Sequence, residues 1–400
     1  MPALSKSLER FQPSKIAEIF ALALRLQEEG RDIVNLSTGE PDFATHDSVC
    51  AAAHEAIDAG MTKYTAVDGT SDLKRAVQEK FRRDNGLDYA LDEIIIDSGA
   101  KPLLAHTMMA LLDPGDEVIV PTPCWTSHPG AVRLCGGEPV FLACPEDNGF
   151  KLHAAELAAA ITGRTKMLIL NSPSNPTGAV YDAEEMKAIT DVVLGHPHIW
   201  LVSDDIYESL LFDGRVFATP AGVEPRLKDR VITVNGVSKG HAMTGWRIGF
   251  AGGPKDAMQA IRKVLSQATG SPPSISQAAA VAALTGPQEV LAERTAIYQE
   301  RRDIVVRALN QAAGLTVRPC EGAFYLFVNC AGVLGRTTPA GQVLETSTDF
   351  ARYLLEDRGV AVVPGVAFEA DPYFRLSFAT STEALEEACR RIREGCSALA

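Results

Sequence analysis

Seven short apolar runs, most separated by helical segments, constrain this chain more than any other feature. They are Glu93–Asp97, Glu117–Val120, Pro139–Leu142, Lys166–Leu170, Ile199–Ser203, Val231–Val234 and Arg247–Gly252. Most are continuously apolar rather than alternating, which suits strands covered by helices on both faces. The rhythm predicts an α/β fold around a mainly parallel seven-stranded sheet. Between Lys239 and Arg247 the chain is too short for a crossover helix, so the last strand is predicted to run antiparallel. In such sheets ligands bind beyond the carboxyl ends of the strands. Asp97–Lys101, Asn171–Gly178, Asp204–Tyr207 and Ser238–Lys239 all fall at those ends.

Four hundred residues exceed one ordinary core, and the pattern divides accordingly. Residues 46–285 carry the strand–helix rhythm and form the expected large domain. Beyond 285 the pattern becomes α+β. A charged helix (Gln288 to Ala312), a strand in Gly322–Val328 and a helix (Thr348 to Arg358) come first. The strands Val360–Val363 and Phe374–Phe378 follow, then a helix opened by a capping box of Thr380 and Glu383. Residues 286–400, with residues 1–45, make the expected smaller domain. Its N-terminal part reads as an arm, a helix from Ile16 to Glu29 stopped by Gly30, and a strand, Asp32–Leu36.

Composition narrows the partners. A net charge of −13, with acids scattered through helical stretches, argues against nucleic acid or an anionic membrane. No apolar run is long enough for a membrane span, and Met1–Arg10 is too charged for a signal peptide. Eight cysteines show no Cys-x-x-Cys and no His/Cys cluster at zinc spacing. We expect no metal, and reduced thiols in a cytoplasmic protein.

Several strand ends carry chemistry. Lys239 follows an apolar strand amid small residues, with Arg247 eight positions on. Burial and a nearby cation both favour the free amine, which can form a Schiff base with an aldehyde. The bland alternative is a surface lysine in a loop. Ser98-Gly99-Ala100-Lys101-Pro102 opens a helix at Leu103–Leu112, as a phosphate site or a simple turn. Two prolines around Asn175 fix a loop that either presents its amide or is only structural. Asp204 could meet a cationic ring nitrogen and Tyr207 a neighbouring oxygen; otherwise Asp204 or Asp205 caps a helix. Arg375, inside an apolar strand, requires an anion from substrate or protein. Gly39 allows close backbone approach or makes a turn, and Trp125 stacks on a flat cofactor or belongs to the core.

Taken together, Gly39-Glu40-Pro41-Asp42-Phe43, Asn175-Pro176-Thr177-Gly178, Ser203-Asp204, Ser238-Lys239 with Arg247, and Arg375-Leu376-Ser377 occur in one order. This order resembles the class I pyridoxal-phosphate aminotransferases of fold type I, most closely the bacterial aspartate aminotransferase subgroup, nearly end to end. The resemblance implies pyridoxal 5'-phosphate held by Lys239 as a Schiff base, with Lys239 then moving the α-proton. It implies that Asp204 keeps the ring nitrogen protonated, that Tyr207 and Asn175 bond the ring oxygen, and that Trp125 stacks on the ring. Ser98, Gly99, Ala100, Arg247 and Ser238 would bind the phosphate, joined by Tyr64 from the other subunit of a homodimer. The turn Thr269-Gly270-Ser271-Pro272 would face the partner as well. Arg375 would hold the substrate carboxylate, assisted by Gly39 and Asn175.

By the same resemblance, Lys101 would clamp a distal carboxylate, favouring aspartate or glutamate with a 2-oxo acid acceptor; otherwise it is a solvated lysine at a helix start. Pro13-Ser14-Lys15-Ile16 departs from the hydroxyl pattern of those relatives, which keeps neutral or aromatic amino acids open. A lyase of the same fold stays open too. Gly236 stands where many relatives carry Ser or Thr, so that phosphate contact is either absent or supplied by Ser238.

Overall fold

The computed structural model describes residues 4–11 and 15–400. Pro13 and Ser14, and the side chains of Lys15 and Ile16, lie outside the described residues. In chain order the strands are β1 (Val34–Asn35), β2 (Ile94–Asp97), β3 (Glu117–Thr122), β4 (Glu138–Ala143), β5 (Thr165–Asn171) and β6 (Trp200–Asp204). They continue with β7 (Val231–Gly236), β8 (Gly249–Gly252), β9 (Tyr325–Asn329), β10 (Val360–Ala361), β11 (Val363–Pro364) and β12 (Tyr373–Ser377). Strands β2 to β8 form one sheet in the order β2-β8-β7-β6-β5-β3-β4. Its pairings are parallel except those of β8, which runs antiparallel to both neighbours. The seven expected runs are the seven strands of this sheet, and the strand expected to reverse is the one that does.

The continuous apolar runs have a direct cause in the packing. Ile94 and Ile96 enter a core on one face of the sheet, with Leu168 and Leu170. The intervening Ile95, Met167 and Ile169 enter a separate core on the other face. Each fully buried side chain of this size is worth about 1.5–3 kcal/mol, so both faces are strongly held and register slippage is disfavoured. A third core gathers Tyr207, Leu210 and Phe212 with residues between 298 and 399. It packs around the antiparallel sheet β11-β12-β9 and extends to the β1–β10 neighbourhood.

Several expectations need correction. The run Val360–Val363 is not one strand, because Val360–Ala361 pairs with β1 while Val363–Pro364 pairs with β12 in another sheet. The N-terminal strand shortens to Val34–Asn35, the only stretch there that finds a partner strand. The last strand of the large sheet begins at Gly249 rather than Arg247, because Arg247 is left-handed (φ 57°). The helix expected from Leu103 already begins at Ala100. The final helix, Thr382–Ser397, is capped by Ser381, which accepts from the Ala384 amide, so Thr380 and Glu383 form no capping box. Among the described residues no helix is long and apolar enough to cross a membrane.

The sheet and the helix Ala100–Leu111 share an apolar core and approach backbone to backbone at Gly249. A Cβ on Gly249 would lie 2.3 Å from the Ala100 nitrogen and 2.4 Å from the Gly99 carbonyl carbon. Both are backbone atoms that cannot step aside. We expect Gly249→Ala to cost about 2–3 kcal/mol in urea unfolding. Gly163→Ala, where an added Cβ meets nothing within 4 Å, should change stability by less than about 0.5 kcal/mol.

Candidate active site

The carboxyl ends of β5, β6 and β7 open into a cavity of about 290 Å³. Of the residues singled out from sequence, Gly39, Ala100, Lys101, Trp125, Asn175, Asp204, Tyr207, Ser238, Lys239, Arg247 and Arg375 line it. Ser98 and Gly99 sit directly behind Ala100, with Gly99 as the N-cap of the helix that Ala100 starts. Tyr64 does not line the cavity; it is 99% exposed on the surface of this single chain.

Asp204 ends β6 and is 2% exposed. Its Oδ2 lies 3.0 Å from His128 Nε2, while its buried Oδ1 has no hydrogen-bond partner among the described residues. Asn171, ending β5, donates its Nδ2 to the Asp204 carbonyl at 2.8 Å and accepts from the Asn175 amide at 2.8 Å. One side chain therefore fixes the proline-bounded loop against the strand that carries Asp204. Neither aspartate caps a helix. Asp205 is a structural carboxylate, held by the hydroxyls of Ser203 and Thr219. Burial, outweighing those bonds, pushes its pKa up to about 7.

Lys239 donates from Nζ to the Gly39 carbonyl at 2.6 Å. Burial above all, helped by the charges of Arg375 and Arg247 and opposed by Glu40 and Asp204, lowers its pKa to about 8. The sequence expectation of burial plus a cation holds, with Arg375 as an additional cation.

Arg247 reaches the start of the helix Ala100–Leu111. A Cβ on Gly99 would meet its Nη2 at 2.3 Å, so glycine is needed for this approach. Among the described residues the Arg247 side chain donates only to the Thr244 carbonyl, at 2.9 Å. A free guanidinium beside a helix N-terminus is a cradle for an anion. Gly236 borders a different cavity, of about 210 Å³, behind the lysine loop. A side chain there would press on the Ile248 carbonyl at 2.9 Å and on Ile206 at 3.1 Å. Ser238, which does line the main cavity, is the hydroxyl available in its place.

Arg375 is 1% exposed and makes no ion pair among the described residues; its partners are neutral. Its Nη1 donates to Asn175 Oδ1 at 3.0 Å and its Nη2 to the Ser37 carbonyl at 2.6 Å, while Nε has no partner among the described residues. The guanidinium lies over the rings of Tyr325 (4.4 Å) and Phe368 (5.1 Å). Burial lowers its pKa. Among the described residues no carboxylate pairs with it.

These features converge on one chemistry, and residues 31–392 match the family model described as aminotransferase class I and II. The chain belongs to the class I and II aminotransferases. It is 56% identical to an aspartate aminotransferase of Rhizobium meliloti strain 1021, over 96% of this chain and 94% of the relative. It is 50% identical to an aspartate/prephenate aminotransferase of Cereibacter sphaeroides, with both chains fully covered. A crystal structure of the aspartate aminotransferase from Rhizobium meliloti superposes with a TM-score of 0.97 at 54% identity, covering both chains fully. The Thermus thermophilus aspartate aminotransferase with maleate gives 0.92 at 41% identity, over 98% of this chain and all of the other. This aminotransferase thus has the fold type I architecture expected from its motifs, and it transfers an amino group to a 2-oxo acid.

Sequence reasoning missed Asn171, Ile206, Thr244 and Tyr325 in the cavity lining, and His128 behind it. Asn171 stood inside a motif already singled out, at a strand end. His128 lies three residues beyond Trp125 and packs edge-on to it, with ring centres 5.3 Å apart, but nothing local marked it. Tyr325 read only as a strand residue.

Because burial depresses the Lys239 pKa, the folded protein binds fewer protons than the unfolded chain between about 8 and 10.5. This residue therefore adds to stability as pH rises through that window. In cofactor-free protein, acylation of Lys239 followed by mass spectrometry should titrate with a midpoint near 8. A midpoint near 10.5 would show that the amine is not perturbed.

Proposed function

We propose that this aminotransferase binds pyridoxal 5'-phosphate in the cavity and moves the α-amino group of aspartate or glutamate to a 2-oxo acid. The observation that carries the reading is the buried, unpartnered Oδ1 of Asp204. A buried carboxylate oxygen without a donor is costly, and a protonated ring nitrogen is the donor that offsets the cost. The rest of the cavity fits the same group. Arg247, Ser238 and the helix start at Ala100 suit its phosphate, Tyr207 and Asn175 suit its ring oxygen, and Trp125 suits its face.

When bound, pyridoxal phosphate supplies an aldehyde carbon and a ring able to take up electrons. The chain's own groups do the remainder. Lys239, with a pKa of about 8, holds an appreciable free-amine fraction near neutrality, so Nζ can take a proton and return it. His128 fixes the orientation of Asp204 through Oδ2, leaving Oδ1 for the ring. Arg375 offers its planar fork to the substrate carboxylate as a bidentate pair, which gives the buried guanidinium its counter-ion.

Lys101 supports an acidic substrate. Its ammonium stands 5.7 Å from the Trp125 ring centre and its side chain lines the cavity, so a second carboxylate would find a cation. The maleate named with the Thermus structure is a dicarboxylate, in keeping with this reading.

The homodimer rests on Tyr64. Its neighbour Thr65 accepts from Gln277 Nε2 at 3.0 Å, and the same nitrogen donates to the Pro272 carbonyl at 2.9 Å. The two segments expected to face the partner therefore share one surface. We divide the chain at residues 46–285 for the large domain, with 1–45 and 286–400 as the small one. Gly39 and Arg375 then belong to the segment that closes on substrate. Eight free thiols support a cytoplasmic location.

Borohydride should fix pyridoxal phosphate on Lys239 with loss of visible absorbance, and Lys239→Ala should lose both the linkage and turnover. Fixation on another lysine would overturn the assignment. In single-turnover screening, aspartate and glutamate should react faster than alanine, phenylalanine or methionine, and Lys101→Ala should reduce that preference about tenfold or more. An unchanged preference would remove Lys101 from the specificity site. Mixed dimers of Tyr64 and Lys239 variants should recover activity, and no recovery would count against shared sites.

A further inference from the structure

We infer that Tyr325 is a positioning residue, donating its hydroxyl to Tyr207 and carrying Arg375 on its ring, so that filling the substrate-carboxylate site is felt at the cofactor's ring oxygen. The inference rests on the pyridoxal-phosphate reading above. It assigns a role to a residue that neither the motifs nor the family match singles out.

Strand geometry brings the groups together. In the antiparallel pairing of β9 with β12, Arg375 stands opposite Phe327 and Tyr325 opposite Ser377. Tyr325, two residues from Phe327, lies on the same face as Arg375. Its ring sits 4.4 Å under the guanidinium, and its hydroxyl is 2.8 Å from that of Tyr207. The strap through Gly39 rests on the same phenol, since a Cβ on Gly39 would lie 2.4 Å from the Tyr325 oxygen. Three groups with proposed roles thus converge on one fully buried tyrosine.

The proton count sets the direction. Each phenol has one proton, and among the described residues Tyr325 has no other hydrogen-bond partner than Tyr207. If Tyr207 gives its proton to the ring oxygen, it must accept from Tyr325. Both protons are used only in the order Tyr325 to Tyr207 to ring oxygen.

Arg375 then acts as a regulator of this chain. Burial raises the Tyr325 pKa and the Arg375 charge pulls it back, which keeps Tyr325 a good donor. A substrate carboxylate on Arg375 cancels that charge and weakens the donor. The ring oxygen then loses stabilisation as an anion, and the bound cofactor holds its proton to higher pH.

The test uses the cofactor-loaded enzyme and the pH midpoint of its visible absorption change. Tyr325→Phe keeps the ring under Arg375 and removes only the hydroxyl. It should raise the midpoint by about 0.5–1 unit, the worth of one hydrogen bond. The further rise caused by saturating maleate should be smaller than in the wild type. Tyr207→Phe should raise the midpoint more, and adding Tyr325→Phe to it should change nothing further. A midpoint unmoved by Tyr325→Phe, or additive shifts in the double variant, would overturn the relay. A wild-type protein without any visible band would instead overturn the cofactor reading, and the inference with it.

Discussion

Two buried charges whose partners are incomplete organise this molecule: the carboxylate of Asp204 and the guanidinium of Arg375. Both are almost fully removed from water, and each retains an unpartnered polar atom. Burying such groups without an opposite charge is expensive, so the surrounding fold must be stable enough to hold them. The two-faced core of the seven-stranded sheet provides that support. Its strand ends then set the positions: Asp204 at the end of β6, Asn171 at the end of β5, and Lys239 beyond β7. Arg375 arrives from a different sheet, tied to Asn175 and Ser37 across the cavity.

The same charges tune the lysine. Arg375 and Arg247 each depress the Lys239 pKa in addition to burial, and each is also placed for a ligand anion. The amine is therefore easiest to deprotonate before those anions arrive, when it must be free. Under the proposed function the two guanidiniums would serve twice, as anchors and as a source of electrostatic pressure on Nζ. Glu40 and Asp204 oppose them and raise the Lys239 pKa in part.

Much of this was legible in the sequence, for identifiable reasons. Runs such as Ile94-Ile95-Ile96 are apolar at every position because successive residues enter different cores, and such a run has few alternative explanations. Reversal of β8 followed from the shortness of the preceding loop. Lys239, Asp204 and Arg375 were recognisable because a charged residue at the end of, or inside, an apolar strand demands a partner. The missed residues depend on approaches between distant segments. His128 matters only because the start of its helix, Ser127–Leu134, brings its ring to Asp204, 76 residues away in sequence, and Tyr325 only because β9 lies beside β12. The distinction between Asp204 and Asp205 was equally hidden, since it depends on Ser203 and Thr219 claiming one of two adjacent carboxylates. The choice of Ser381 over Thr380 as a helix cap turns on one residue of phase, which local pattern rarely resolves.

On the proposed function, Asp204 is left incomplete for a ligand and does not hold the fold together. Urea unfolding of Asp204→Asn, with and without saturating pyridoxal 5'-phosphate, tests it most directly. The neutral amide can still pair with His128 while removing the buried charge. The cofactor-free variant should be at least as stable as cofactor-free wild type. The stabilisation gained on adding cofactor should fall short of the wild-type gain by about 1.5–3 kcal/mol, the worth of a charged hydrogen bond. A variant that loses as much stability without cofactor as with it would contradict the claim, and would make Asp204 a structural residue.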